Sequence, residues 1–267
     1  MTTARSPDLG SLRRLFDLSG RVALVTGAGS GLGEAISHGL SQFGASVSVV
    51  DRDREAAEAV AESLGVTGGQ AIAIRCDVAI GRDAAEAMAR TVAELERVDI
   101  LVACAGIGDR NPAETMTIEQ WDRVLSVNLR GVWLFNQEVG RWMLEHRAGG
   151  SIVNMASIAG QVGITTGNAN YAASKGGVIA LTRCLAIEWA KHRIRVNAIA
   201  PTHFKTPLVM NLIESNPAAL DYFLGNIPMG RLGEPRDIVG AAVFLASDAS
   251  AMVTGHVLNV DGGHTAA

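Results

Sequence analysis

One stretch constrains this chain more than any other: Thr26-Gly27-Ala28-Gly29-Ser30-Gly31-Leu32-Gly33. Ahead of it, Val22-Ala23-Leu24-Val25 is short, apolar and rich in β-branched residues, as a buried strand is. Behind it, Ile36, Gly39, Leu40 and Phe43 recur at helical spacing between Glu34 and Phe43. Strand, glycine loop and helix in that order cradle phosphate: backbone N–H groups at the helix N-terminus point at the anion, and the missing Cβ atoms let it approach. Glycines are also ordinary turn residues, so the loop alone is a weak signal. A second apolar strand, Val47-Ser48-Val49-Val50, strengthens it by ending at Asp51, 24 residues after Gly27. A carboxylate there suits the two hydroxyls of an adenosine ribose. Together these features lead to a dinucleotide site.

Strands at 22–26, 46–50, 71–75 and 100–104 alternate with helices at 31–43, 53–64 and 82–95, which predicts an α/β fold with a parallel sheet and helices on both faces. The 267 residues allow one large domain or two small ones. No repeat, low-complexity tract or linker interrupts the alternation, so residues 19–267 read as a single domain. Residues 1–18 read as an N-terminal extension lying on its surface, with Leu9, Leu12, Leu15 and Phe16 marking a short helix. A formal net charge of −4 leaves no basic footprint, and nucleic acid is not expected as a partner. Cys76, Cys104 and Cys184 lack any C-x-x-C spacing and read as free thiols of a reducing compartment; the six histidines show no metal-ligand spacing, and no metal is expected. Arg5, Asp8, Arg13, Arg14 and Asp17 are foreign to a signal peptide, and no run approaches the roughly 18 apolar residues of a membrane span. A cytoplasmic protein with no membrane partner is the expectation.

The second half carries the chemistry. Between about Thr117 and His146, Trp121, Val124, Leu125, Val132, Phe135, Val139, Trp142 and Met143 form one helical apolar stripe, interrupted by Asn128. An unpaired buried amide costs roughly 1–3 kcal/mol, so a polar partner must meet Asn128, through a helix–helix hydrogen bond or a catalytic network. The strand Ser151-Ile152-Val153-Asn154-Met155 runs into Ser157, and fourteen residues later Tyr171 and Lys175 stand four apart, on one face of a helix reaching about Ala190. A phenol with a pKa near 10 is a poor base at neutral pH; lowering it by ~3 units takes ~4 kcal/mol in favour of phenolate. Lys175 is one of only three lysines. Its ammonium is expected to supply part of that lowering, with burial and the positive charge of the bound dinucleotide itself adding to it. A lone Tyr-x-x-x-Lys is common surface decoration; here the dinucleotide loop and Ser157 stand upstream of it.

The spacing of Gly27, Gly31 and Gly33 after Thr26, with Asn128, Ser157, Tyr171-Ala172-Ala173-Ser174-Lys175, Asn197-Ala198-Ile199-Ala200-Pro201 and the tail Thr254 to Gly263, resembles the short-chain dehydrogenase/reductase family over about residues 20–263. The resemblance implies a single-domain Rossmann-type, doubly wound parallel sheet of about seven strands. It implies a nicotinamide cofactor, NAD in preference to NADP because Asp51 sits where a 2′-phosphate would lie, although Arg52 beside it could bind that phosphate. By position, Ser157 would orient the substrate, Tyr171 act as acid/base, Lys175 assist it and hold ribose, and Asn128 hold a water for proton relay. Cofactor contacts would come from Gly27, Ser30, Gly31, Leu32, Gly33, Asp51, Arg52, Asp77, Val78, Ala105, Gly106, Tyr171, Lys175, Pro201, Thr202, Phe204 and Thr206. Asp77 could instead cap the next turn. The family's asparagines are replaced by Ala103 and Cys104, and its glycine after Pro201 by Thr202; the first change puts local rigidity in doubt, and Cys104 reads as a core thiol. A homo-oligomer, a tetramer for preference, is implied as well.

The implied reaction interconverts a secondary alcohol and a ketone on a small molecule. The sequence from Ala200 to Pro207 and from Gly255 to Gly263 is most similar to the gluconate and polyol dehydrogenases, which points to a polyol, sugar or sugar acid. Reduction of a 3-oxoacyl thioester or a cyclic ketone is the alternative, and a dinucleotide-binding regulatory protein without turnover is the alternative of another class. Substrate choice is expected in the loop of about 202–231, where His203, Leu208 and Met210 are candidates.

Overall fold

The computed structural model describes residues 9–164 and 167–267; positions 1–8 of the expected extension lie outside the described residues. Seven strands, β1 (Val22–Thr26), β2 (Ser46–Asp51), β3 (Ala71–Arg75), β4 (Ile100–Ala103), β5 (Gly150–Met155), β6 (Ile194–Pro201) and β7 (Val257–Val260), pair in parallel in the order β3-β2-β1-β4-β5-β6-β7. Every residue of β1 and β4 is buried. Strands covered on both faces are near-continuous apolar runs, which is why Val22-Ala23-Leu24-Val25 lacks alternation.

One face is covered by α3 (Gly81–Leu95), α5 (Val132–Glu145) and α6 (Ala169–Trp189), around a core that includes Leu24, Leu101, Phe135, Val178 and Val196. The other is covered by α1 (Gly31–Gln42), α2 (Arg54–Val66) and α9 (Val239–Ala246), around Val25, Ile36, Leu40, Val102 and Leu245. This is the doubly wound sheet expected. Its strand order reverses between β1 and β4, and a crevice opens at the carboxyl ends of strands where the order reverses. Two short helices, α7 (Pro207–Ser215) and α8 (Ala218–Gly225), form a lobe with its own small core of Ala219, Phe223, Ile227 and Leu232.

Near the N-terminus, Leu9–Phe16 is a 3-10 helix on which Leu12, Leu15 and Phe16 stay largely exposed, whereas Leu18 is fully buried. The helix expected over 117–146 is divided. Thr117 caps α4 (Ile118–Leu125): its hydroxyl accepts from Gln120 N–H at 3.2 Å, and the Gln120 side chain accepts from Thr117 N–H at 3.0 Å. A π-turn, Ser126–Gly131, then leads into α5. Gly131 belongs there because a Cβ would lie 2.9 Å from the Val78 side chain. The apolar stripe survives, with Val124, Val132, Phe135, Val139 and Met143 buried, but the π-turn places Asn128 at its break, a geometry frequent at functional sites.

Candidate active site

The glycine loop leaves β1 with Gly27 at φ +63° and Gly31 at +61°, values that L side chains adopt at a cost. Gly33 is required for a different reason: a Cβ on it would lie 2.1 Å from the Gly27 carbonyl oxygen. α1 therefore starts against the loop itself, and no side chain of Ser30 caps it. The first turn, Gly31 to Gly33, thus lines the crevice with no Ser30 side-chain acceptor on its N–H groups. The β1–β4 junction is held by Thr26, whose buried hydroxyl accepts from Cys104 N–H at 3.1 Å and Ala105 N–H at 3.2 Å. These bonds hold the backbone where the family's asparagines are missing.

At the end of β2, the Asp51 carboxylate accepts from Gly29 N–H at 2.9 Å and Asp53 N–H at 3.0 Å, so the acid is fixed beside the glycine loop. Asp77 accepts from Ala79 N–H at 3.0 Å, the capping role considered for it, and also faces the crevice. All seventeen cofactor candidates read from the sequence line one cleft of about 550 Å³, and Ser157 and Leu208 line it too. Asn128, His203 and Met210 do not form its wall.

At the opposite end, Ser157 follows β5 with its hydroxyl accepting from Ala159 N–H at 3.2 Å. Tyr171 and Lys175 come from the first turns of α6, with the Lys175 Nζ 5.7 Å from the tyrosine ring centroid. Lys175 is 2% exposed and donates to the Met155 carbonyl at 2.7 Å. Asn128 is fully buried: its Oδ1 accepts from Ile107 N–H at 2.8 Å, and its Nδ2 donates to Ile107 O at 2.9 Å and Ser174 Oγ at 3.3 Å. Its side chain thus braces the loop after β4 against α6. The bond to Ser174 is the helix–helix hydrogen bond weighed for it.

The electrostatics correct one expectation. Burial pushes the Tyr171 phenol up, against ionisation, because a charge is disfavoured where water is excluded. A hydrogen bond with Ser157 and the positive charge of Arg110 pull it down. Burial therefore opposes phenolate, where it was expected to help; the side-chain charge that lowers the phenol is that of Arg110, where Lys175 was expected to supply it, and no motif in the sequence singles Arg110 out. Burial also lowers Lys175 to about 8. Cys104, expected as a core thiol, is partly exposed on the cleft wall, and burial raises it to about 12, so it stays a thiol.

The segment expected to choose the substrate runs beside this wall. His203 stacks on Phe223 with ring centroids 3.6 Å apart, and burial lowers it to about 4, with His264 and Arg110 adding to the shift. Thr202 Oγ1 lies 3.1 Å from His264 Nδ1 and 3.4 Å from His203 Nδ1, so the residue in the family's glycine position ties the tail to this segment. Beyond the residues foreseen, Ile107, Arg123, Ser126, Val127, Met155 and Val209 also line the cleft. Most carry no polar signature by which a sequence could mark them.

The residues present fit a dinucleotide. A Cβ-free cradle with uncapped helix amides lies at one end, a fixed carboxylate stands beside it, and the cleft continues to a buried ammonium. Among the described residues no helix is long and apolar enough to cross a membrane.

A family model described as enoyl-(acyl carrier protein) reductase matches residues 27–265. The chain is 44% identical over 250 residues to D-threitol dehydrogenase of Mycolicibacterium smegmatis, covering 94% of this chain and 95% of that protein. It is 39% identical over 254 residues to (3R)-3-hydroxyacyl-CoA dehydrogenase of Canis lupus familiaris, with 92% and 96% covered. Its fold matches a gluconate 5-dehydrogenase from Burkholderia cenocepacia J2315, solved in complex with NADP and tartrate, at a TM-score of 0.90 and 36% identity, covering 95% of this chain and 98% of that one. By sheet order, cleft and likeness over nearly its whole length, the chain belongs to the short-chain dehydrogenase/reductase family of NAD(P)-dependent oxidoreductases.

Proposed function

We propose that the protein oxidises a secondary carbinol of a small polyhydroxylated compound, a polyol, sugar or sugar acid, with NAD in preference to NADP, and catalyses the reverse reduction. The observation that carries the reaction is the meeting of Ser157, Tyr171 and Lys175 on one wall of the dinucleotide cleft. When bound, the nicotinamide takes the hydride from the carbinol carbon or returns it. In this reading Ser157 holds the substrate oxygen and Tyr171 takes its proton. The Lys175 ammonium, anchored on Met155 O, offsets the charge left on the phenolate. Asn128 braces the loop after β4, and the role kept for it is to hold a relay water at the π-turn. Since burial alone holds the Tyr171 proton on, the cationic groups around the phenol must outweigh it before the tyrosine works as a base.

The substrate class is supported by the likeness to D-threitol dehydrogenase and gluconate 5-dehydrogenase. The cofactor preference is supported by Asp51: one charge pair at ~4 Å is worth ~4 kcal/mol at an effective dielectric of ~20, against a 2′-phosphate. Likeness to a relative solved in complex with NADP and the exposed Arg52 stand on the other side. A second reading, reduction of a 3-oxoacyl thioester, is favoured by the likeness to (3R)-3-hydroxyacyl-CoA dehydrogenase and by the apolar α7–α8 lobe. The test is a comparison of kcat/KM for four- to six-carbon polyols and aldonates with NAD and with NADP, against acetoacetyl-CoA and cyclic ketones with the reduced cofactors. Faster turnover of the thioester or an apolar ketone overturns the substrate class, and a ratio favouring NADP overturns the cofactor preference.

A further inference from the structure

Beneath the active site, inside the larger apolar core, lies a polar chain that the proposed mechanism does not use. Asn136 on α5, Asn154 on β5 and Thr182 on α6 are each 0% exposed. Asn136 Nδ2 donates to the Val132 carbonyl at 2.8 Å and to Asn154 Oδ1 at 2.8 Å. Asn154 Nδ2 donates back to Asn136 Oδ1 at 3.3 Å and on to Thr182 Oγ1 at 3.0 Å. The Thr182 hydroxyl donates to the Val178 carbonyl at 2.8 Å. Every side-chain hydrogen of the two amides and the hydroxyl has its own acceptor.

Stability alone is a poor reason for such a chain. A buried hydrogen bond returns little net free energy, and replacing both partners by apolar groups of the same shape is often neutral or better. What a satisfied polar network supplies is direction, because its bonds hold one arrangement of the elements and no other. The elements it joins, α5, β5 and α6, carry or directly adjoin the active-site candidates. Asn136 stands on α5 eight residues after Asn128, beyond the π-turn; Asn154 is three residues before Ser157 on the same chain run; Thr182 is seven after Lys175, two turns along the same face of α6. α6 is thereby pinned to β5 at two levels, by Lys175 Nζ on Met155 O and by Thr182 on Asn154. One contact fixes a point, whereas two fix the helix against sliding and rotation.

We infer that Asn136, Asn154 and Thr182 are positioning residues that set the separation of Ser157 from Tyr171 and Lys175. A misplacement of about 1 Å in such a site costs on the order of 100-fold in rate, so a modest slip of α6 is read out in turnover before it is read out in folding. The inference rests on the roles proposed above for Ser157, Tyr171 and Lys175.

Thr182→Val keeps the shape and deletes the hydroxyl. Its kcat is expected to fall by ~10-fold or more, with KM and the cofactor Kd within ~3-fold of the native values, and Thr182→Ser is expected to restore kcat to within ~2-fold. The triple variant Asn136→Leu, Asn154→Leu, Thr182→Val removes every member and leaves none unpaired, so it serves even where the single variant does not fold. It is expected to keep a native-like Tm while losing the same kcat. A kcat within ~2-fold of native in either valine-bearing protein overturns the inference; if Tyr171→Phe is inactive in the same assay, the reading of the site survives. A Tyr171→Phe enzyme with normal turnover overturns that reading and the inference together.

Discussion

Between β1 and α3 the cleft is built from backbone, whereas between Pro201 and Leu232 it is built from side chains. In the first region the groups that would meet a cofactor are helix amides, positive-φ glycines and one carboxylate fixed by two N–H groups. In the second, the lobe of α7 and α8 leans on a four-residue core, and Leu208, Met210, Tyr222 and Met229 remain 36–72% exposed. Backbone geometry has few solutions and tolerates little substitution, so that region suits one unvarying ligand. Side chains on short helices can be exchanged without disturbing the sheet, so the second region suits a changing substrate. Relatives named for a tetritol and for an acyl-CoA share this fold at about 40% identity, as that division implies.

If the division is right, substitutions in the backbone-built region have large effects and those in the lobe small ones. Asp51→Asn keeps an acceptor for Gly29 while deleting the charge, and should shift the NAD-to-NADP ratio of kcat/KM toward NADP by ~10-fold to ~10³-fold. An unchanged ratio would give the selection to Arg52. Gly33→Ala must push its Cβ away from the Gly27 carbonyl; with overpacking worth ~1–3 kcal/mol, calorimetric titration should show the cofactor Kd raised ~10–100-fold. A Kd within ~2-fold would mean the loop is softer than its geometry implies. In the lobe, Leu208→Ala should raise the substrate KM by only ~3–10-fold with kcat nearly kept, as expected for one partly exposed apolar side chain, and Met210→Ala should do less. Larger changes in kcat would place the lobe in the catalytic step.

The smallest effect concerns pH. The unfolded chain protonates His203 below about 6.5, whereas the folded protein, which buries the ring against Phe223, does so only below about 4. The unfolded state therefore binds more protons between those values, and the native state loses stability as pH falls through that window. Native Tm should drop more than that of His203→Gln between pH 7.5 and pH 5, by a few °C for ~1–2 kcal/mol. Parallel Tm curves would show that the ring is hydrated.

The same contrast explains what the sequence made legible. The glycine spacing, the acid at the end of β2 and the alternation of strands and helices each impose a local geometry, and the sheet order and the cleft follow from them. Tyr171 and Lys175 were readable because four residues on a helix make one face. The π-turn was not: the apolar stripe has nearly the same period on either side of it, and Asn128 alone marks the break. Arg110 and the Asn136–Asn154–Thr182 chain were hidden because their partners lie far away in sequence. The contrary sign of burial on Tyr171 depends on what surrounds the ring in space. α7 and α8 leave no sequence signature, since neither is long enough to show a clear period.

The central claim is that Tyr171 moves the proton in an NAD-linked oxidation at this cleft. The most direct test measures steady-state kcat by NADH absorbance for native protein and Tyr171→Phe, on the best substrate of the polyol and aldonate panel, alongside the cofactor Kd of each. Phenylalanine keeps the ring packing and removes only the hydroxyl. The expected result is a kcat at least ~100-fold lower, within the range for general acid–base catalysis, with the Kd within ~3-fold of native. Near-native turnover by Tyr171→Phe would contradict the claim.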